Sequence, residues 1–214
     1  MTTKPGKFIT VEGVEGVGKS TNIAFIREFL SRKEIQHVVT REPGGTKVAE
    51  ALRQILLNEK EELIDPVAEL LLVFAARAQH LARVIRPSIA NGLWVLCDRF
   101  TDATYAYQGG GRKIESSSIA LLEKIVHGDF QPDLTLILDL DPEIGLKRAA
   151  SRGALDRIES EKLQFFHAVR EVYLGRAREF PDRCAVINAN LSLAEVQAQI
   201  NDVLIRYCVR WQGK

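Results

Sequence analysis

Five short runs of this chain are continuously apolar or β-branched, and helical periodicity fills the spaces between them. The runs cover residues 8–12, 37–40, 93–97, 133–140 and 184–188. Their centres, among them Val38-Val39, Leu93-Trp94-Val95-Leu96 and Ala185-Val186-Ile187, do not alternate with polar residues. That pattern predicts strands buried on both faces of a parallel sheet. Between them, Val48, Leu52, Ile55 and Leu56 fall on one helical face. Asp65-Pro66 has the form of an N-cap followed by proline at the first helical position, and predicts a helix running through Leu70, Leu71, Phe74, Ala78 and Leu81 to about residue 85. Ile119, Leu122, Ile125 and Val126 mark another, closed by Gly128. Asp141-Pro142 starts the next, and Ser192-Leu193-Ala194-Glu195 is a capping box leading into Val196, Ile200, Val203 and Leu204. Strand and helix alternate throughout, which predicts an α/β three-layer fold around a parallel sheet, in one domain covering residues 1–214.

Composition narrows the picture by exclusion. Apolar residues make up 46% of the 214 and charged residues 27%, a mix that can cover both faces of a sheet. The formal net charge is +1, so bulk electrostatics predicts neither a nucleic-acid partner nor a membrane surface. Cys97, Cys184 and Cys208 are odd in number and lack C-x-x-C spacing, against a disulfide framework or zinc site. No run reaches the roughly 18 apolar residues of a membrane span, and only seven residues precede the first strand-like run, so no signal peptide is expected. A cytoplasmic protein is the expectation.

The candidate chemistry starts at Gly13-Val14-Glu15-Gly16-Val17-Gly18-Lys19-Ser20. This matches the phosphate-loop pattern G-x-x-x-x-G-K-[ST] and stands between a predicted strand and a predicted helix, the context the motif requires. Glycines let the backbone aim several N–H groups at one anion, and the following helix, read from Ser20 to about Lys33, adds its positive end. Lys19 supplies a mobile charge for outer phosphates and Ser20 a hydroxyl for Mg²⁺. The loop alone fits ATPases, GTPases, kinases and motor domains. Asn58-Glu59-Lys60-Glu61 fails the N-K-x-D guanine pattern at its last position, which weakens the GTPase reading.

Arginines point further. Asp98-Arg99 follows directly on a buried strand, at the edge of the sheet where ligands bind. Residues 148–157 carry Arg148, Arg152 and Arg157 among small residues and Gly153. Such a stretch suggests a mobile lid, at about 148–158, closing over a nucleotide. Transfer of a phosphoryl group to an acceptor that is itself a phosphate brings two anions together, and arginines answer that need.

With these segments goes a set of more particular ones: Thr40-Arg41-Glu42-Pro43-Gly44-Gly45-Thr46, Phe74-Ala75-Ala76-Arg77, Ala106-Tyr107-Gln108-Gly109-Gly110-Gly111 and Leu155-Asp156-Arg157-Ile158-Glu159. In type and order the chain resembles the thymidylate kinases over nearly its whole length. The resemblance implies a P-loop nucleoside monophosphate kinase fold with a five-stranded parallel sheet, a homodimer, and phosphoryl transfer from ATP to dTMP with Mg²⁺. It implies that Gly13, Val14, Glu15, Gly16, Val17, Gly18, Lys19, Ser20 and Thr21 hold the ATP phosphates, and that Arg99 binds the acceptor phosphate with Asp98 and Ser20 near the metal. It places Glu12 and Glu42 on the acceptor side and Arg77, Thr104 and Gln108 at the thymine edge. Tyr107 would crowd the 2′ position, with Arg53 and Arg41 toward the phosphates.

The acidic Glu15 in the loop together with lid arginines resembles the bacterial type of the family, in which Arg148 and Arg152 serve the nucleotide. Arg152 is then the first choice for the transition-state contact and Arg157 the second. One departure concerns the base. Family members commonly carry a stacking phenylalanine four residues before the base-reading arginine; here Val73 stands there and Phe74 stands three before. Phe74 is expected to stack in its place, although one helical step turns a side chain by about 100°.

Overall fold

The structure, a computed structural model, describes residues 4–59, 61–151 and 156–212. The five predicted strands all form: β1 (Phe8–Glu12), β2 (His37–Arg41), β3 (Trp94–Asp98), β4 (Leu134–Asp139) and β5 (Cys184–Asn188). They make one parallel sheet in the order β2-β3-β1-β4-β5. The third run ends one residue later than its apolar pattern suggests, because Asp98 stays in register opposite Val11 and Arg41.

Burial on both faces explains the unbroken apolar runs of β1, β3 and β4; the edge strands β2 and β5 depart from the expectation, with Val39 and Val186 each 45% exposed, because each has a neighbouring strand on one side only. Ile9, Val11 and Leu96 join a core with Ile26 and Leu30 of α1 (Lys19–Arg32) and Ile200 and Leu204 of α9 (Leu193–Gln212). Phe8, Val95 and Cys97 face the other way, onto Leu81, Ile85 and Phe100. Thr10 and Thr135 are polar and fully buried, and their hydroxyls pair at 2.9 Å, so neither is left unsatisfied. Cys97, Cys184 and Cys208 are free and buried. Among the described residues no helix is long and apolar enough to cross a membrane.

Helix starts follow the capping signals. Asp65 accepts from the N–H groups of Val67 and Ala68 ahead of α3 (Pro66–His80), and Asp141 from that of Glu143 ahead of α7 (Pro142–Ala150). Ser192 and Glu195 bond reciprocally ahead of α9. The helix expected to stop near residue 85 continues instead, through a π turn at Leu81–Ile85 into α4 (Arg86–Ala90). Pro87 offers no N–H and crowds the carbonyl four residues back, and the widened turn lies there.

A second π segment, Tyr105–Gly111, extends α5 (Thr101–Thr104) through three consecutive glycines that would ordinarily read as a turn. A Cβ on Gly110 would lie 2.9 Å from the Ala168 carbonyl oxygen, and one on Gly111 2.3 Å from the Phe165 ring. Glycine is needed there so that α8 (Leu163–Glu179) can pack directly against the segment. Helix α2 (Lys47–Asn58) and α6 (Ser116–His127) complete the frame around α3.

Candidate active site

The crevice opens beyond the carboxyl end of β1, where β3 and β4 flank the first strand, the place at which parallel α/β sheets bind ligands. The loop from β1 to α1 needs three left-handed positions, and glycine fills each: φ is 136° at Gly13, 68° at Gly16 and 92° at Gly18. Gly18 gives α1 no side-chain cap, leaving the first-turn N–H groups to an external acceptor. Helix α7 supports the loop at closest approach: a Cβ on Gly145 would stand 2.3 Å from the Glu15 carbonyl oxygen.

The Lys19 ammonium folds back onto the carbonyl oxygens of Gly13 and Val14, 3.2 Å from each. Burial, then the positive charge of Arg99, pull its pKa down to about 8. The negative charge of a phosphate would offset both effects.

A cavity of about 290 Å³ runs from this loop to α3. Glu15, Gly16, Val17, Gly18, Lys19, Ser20 and Thr21 line one end, whereas Gly13 and Val14 do not line it. Asp98 and Arg99 stand between the ends. Arg99, itself at φ 67°, donates from Nη1 to the Gly13 carbonyl (2.9 Å) and the Tyr173 hydroxyl (3.1 Å). Its Nη2 donates to Glu15 Oε1 at 2.8 Å, and Tyr107 donates its hydroxyl to the same carboxylate. Glu15 therefore orients both residues. Among the described residues, Asp98 Oδ1 is buried without a hydrogen-bond partner. An orphaned carboxylate oxygen on a residue that lines the same cavity as Ser20 suits a magnesium ion that takes most of its ligands from phosphates and water. Among the described residues no cluster of three or more His, Cys, Asp or Glu could hold a metal ion by itself.

The far end is built around a buried arginine. Arg77 donates from Nε to Glu42 Oε2 (2.7 Å) and from Nη2 to Thr104 Oγ1 (2.9 Å) and the Phe100 carbonyl. Its Nη1 is buried with no hydrogen-bond partner among the described residues. His80, which sequence reasoning passed over, completes the clamp: Nδ1 donates to Glu42 Oε1 at 3.0 Å, and Nε2 meets Thr40 Oγ1 at 2.7 Å. Burial alone would push the Glu42 carboxyl up; Arg77 and His80 outweigh it and hold the group below the usual carboxylate range. Gln108 and Thr104 line the same end.

Several expected residues stand elsewhere. Phe74 is a core residue, 2% exposed among Leu70 and Ile119, and Val73 forms the cavity wall instead. The reason is helical phase: Glu69, Val73 and Arg77 are four apart and share one face, which Phe74 leaves. Glu12 is fully buried beneath the cavity, accepting from the Phe100 N–H (2.7 Å) and the Tyr173 hydroxyl (2.8 Å). Arg53 lines the cavity and donates to the Pro43 carbonyl, whereas Arg41 pairs with Glu50. Arg148 is exposed on α7 and does not line the cavity, and Arg152 lies outside the described residues. Arg157 lines the cavity but donates to the Leu56 carbonyl and Glu69. Glu69, His80 and Tyr173 were missed, and only Glu69 left a signal, as a carboxylate in step with Arg77 along α3.

Burial, then the neighbouring Asp102 charge, push the Glu12 carboxyl up to about 8 from an ordinary 4.5. With the folded pKa above the unfolded one, no penalty exists below about pH 4.5 and it grows as pH rises through about 8. Glu12→Gln should therefore melt higher than the parent without metal, by a margin that widens from about pH 5 to pH 8. Melting curves across that range test this; a margin independent of pH would show that the carboxyl does not titrate as argued.

Known proteins resemble this chain over nearly its whole length. The family model described as thymidylate kinase matches residues 11–200. The thymidylate kinase of Teredinibacter turnerae is 56% identical over 199 residues, covering 93% of this chain and 97% of that protein. That of Hahella chejuensis is 57% identical over 197 residues, covering 92% and 95%. The crystal structure of thymidylate kinase from Ehrlichia chaffeensis superposes with a TM-score of 0.76 at 35% identity, covering 94% of this chain and 99% of that one. A P-loop at one end of the cavity, a clamped arginine at the other and this match across the chain lead to one conclusion: the chain belongs to the thymidylate kinase family.

Proposed function

We propose that this chain transfers the γ-phosphoryl group of ATP to dTMP, giving dTDP and ADP on the route to dTTP. The observation that carries the reading is the unpartnered Arg77 Nη1 at the opposite end of the cavity from the phosphate loop. A buried guanidinium N–H without an acceptor calls for one from a ligand, and the C4 carbonyl of thymine supplies it. Cytosine offers an amino group at that position and would leave two donors facing each other.

In this reading the loop N–H groups and Lys19 hold the ATP phosphates, and Arg99, oriented by Glu15, holds the acceptor phosphate. An acceptor phosphate oxygen attacks the γ-phosphorus in line, and ADP leaves with the bonding electrons. Ser20 and Asp98 are the residues that would hold Mg²⁺, which supplies charge neutralisation at the phosphate oxygens when bound. Arg152 remains the lid arginine assigned to the transition state. Arg157, held by Glu69 and the Leu56 carbonyl, acts from the cavity wall.

Homodimerisation belongs to the same proposal. Val67 and Leu71 of α3 and Leu121 and Ile125 of α6 are apolar and exposed, each at 51% or more, on two helices packed against each other. We also place the protein in the cytoplasm, where buried free thiols stay reduced.

ADP release with ATP and Mg²⁺ should be measured with dTMP, dUMP, dCMP, dGMP and thymidine as acceptors. The expected result is turnover with dTMP, weaker turnover with dUMP and little with the rest. Comparable turnover of dCMP would overturn the Arg77 assignment, and turnover of thymidine itself would overturn the acceptor-phosphate role of Arg99.

A further inference from the structure

Glu69 is 1% exposed and receives hydrogen bonds from three separate side chains. Gln108 Nε2 donates to Oε1 at 2.8 Å, Arg112 Nε bridges both oxygens at 3.2 Å, and Arg157 Nη2 donates to Oε2 at 2.6 Å. The donors come from the second π segment, the residue just beyond it, and the segment that follows α7. Arg112 is anchored in turn on Glu161, and Arg157 on the Leu56 carbonyl at the end of α2. Burial pushes the Glu69 carboxyl up, but hydrogen bonds from Gln108, Arg157 and Arg112 outweigh this and hold it ionised.

The chemistry of this pair settles the Gln108 amide. An ionised carboxylate only accepts, so the amide nitrogen must face Glu69 and the carbonyl oxygen is its remaining acceptor. Gln108 also lines the end of the cavity where Arg77 presents its unpartnered donor. The two then offer one donor and one acceptor, the complement of a pyrimidine with a C4 carbonyl and an N3–H. A flipped amide would offer a donor instead, the complement of cytosine N3.

We propose that Glu69 is a specificity-determining positioning residue, which locks the Gln108 amide in the orientation that accepts from an N3–H and is itself locked by Arg112 and Arg157. The inference rests on the proposed reading of Gln108 at the base edge. Glu69 touches no substrate; it acts through Gln108.

The test is the ratio of kcat/KM for dTMP to kcat/KM for dCMP, measured for the parent, Glu69→Gln and Gln108→Leu. A glutamine at position 69 can donate as well as accept, so it frees the amide to flip. Glu69→Gln is expected to lower the ratio by at least about tenfold, chiefly through a higher KM for dTMP and a lower KM for dCMP. A folded Glu69→Gln enzyme with the parental ratio would overturn the inference, because a purely structural role would change melting or kcat without changing base choice. Should the glutamine variant not fold, Glu69→Asp is read in the same way, since it keeps the charge but withdraws the carboxylate from the amide. Gln108→Leu separates the two levels. If it too leaves the ratio unchanged, the base-edge reading fails and the inference with it; if it lowers the ratio while both Glu69 variants do not, only the inference fails.

Discussion

Lys19→Met is expected to cut kcat/KM for ATP by about 10³-fold or more while leaving a folded protein. The size follows from where charge develops. Phosphoryl transfer spreads negative charge over the oxygens of the migrating group, and a lysine reaching the outer phosphates meets that charge in a partly enclosed cavity. Nothing on the loop can substitute, since its other contacts are backbone N–H groups and the Ser20 hydroxyl. The fold is expected to survive because, among the described residues, Lys19 makes no salt bridge and its Nζ bonds only the Gly13 and Val14 carbonyls. Its pKa of about 8, lowered by burial and then by Arg99, adds a linkage argument. A lysine whose folded pKa lies below its unfolded one costs stability at low pH, and the cost fades as pH rises through both values. Removing it should therefore leave melting at neutral pH unchanged or slightly higher. Steady-state kinetics and a melting curve on the same preparation decide it; a folded variant within tenfold of the parent would take Lys19 out of phosphate handling.

The contrast between loop and pocket also explains what could be read from the sequence. The phosphate loop was legible because its chemistry is local: the glycines, the lysine and the serine sit within eight residues, each at the conformation its type favours. The three central strands were legible because burial on both faces leaves unbroken apolar runs, and the edge strands β2 and β5 because their β-branched runs are short and bounded by helical periodicity. Residues 105–111 were not, since three consecutive glycines argue for a turn until α8 packs on them and makes glycine the only residue that fits. The acceptor pocket was half legible. Arg77 stood out by resemblance, but its setting depends on contacts 35 residues away to Glu42 and 27 away to Thr104, which no local pattern encodes. Phe74 shows the same limit within one helix. Its aromatic character suited a base, but stepping back by fours from Arg77 reaches Val73 and Glu69, and those line the cavity. Phase along α3 outweighed residue type.

Glu42→Ala should damage both stability and acceptor binding, where Lys19→Met damages only chemistry. Glu42 is 3% exposed and neutralises Arg77, itself 2% exposed. Removing one partner leaves a buried, uncompensated guanidinium, which costs about 3–5 kcal/mol and, for a chain of this size, roughly 6–20 °C in melting temperature. Loss of the His80 contact adds to it. The pH dependence has a fixed sign. Arg77 and His80 outweigh burial and hold the Glu42 carboxyl below its ordinary 4.5, so its contribution is complete above about pH 4.5 and fades as pH falls through the folded value. The melting gap between parent and variant should therefore close on acidification. Function should follow the same geometry. With Arg77 no longer held from below, its Nη1 loses its fixed direction, and KM for dTMP should rise at least about tenfold while KM for ATP stays near the parental value. Glu42→Leu combined with Arg77→Leu removes both charges and should melt above either single variant, because the penalty of one buried charge disappears with the charge. If the double variant instead loses the sum of the two single effects, the pair is not coupled, and the arginine is placed by the Thr104 and Phe100 contacts alone.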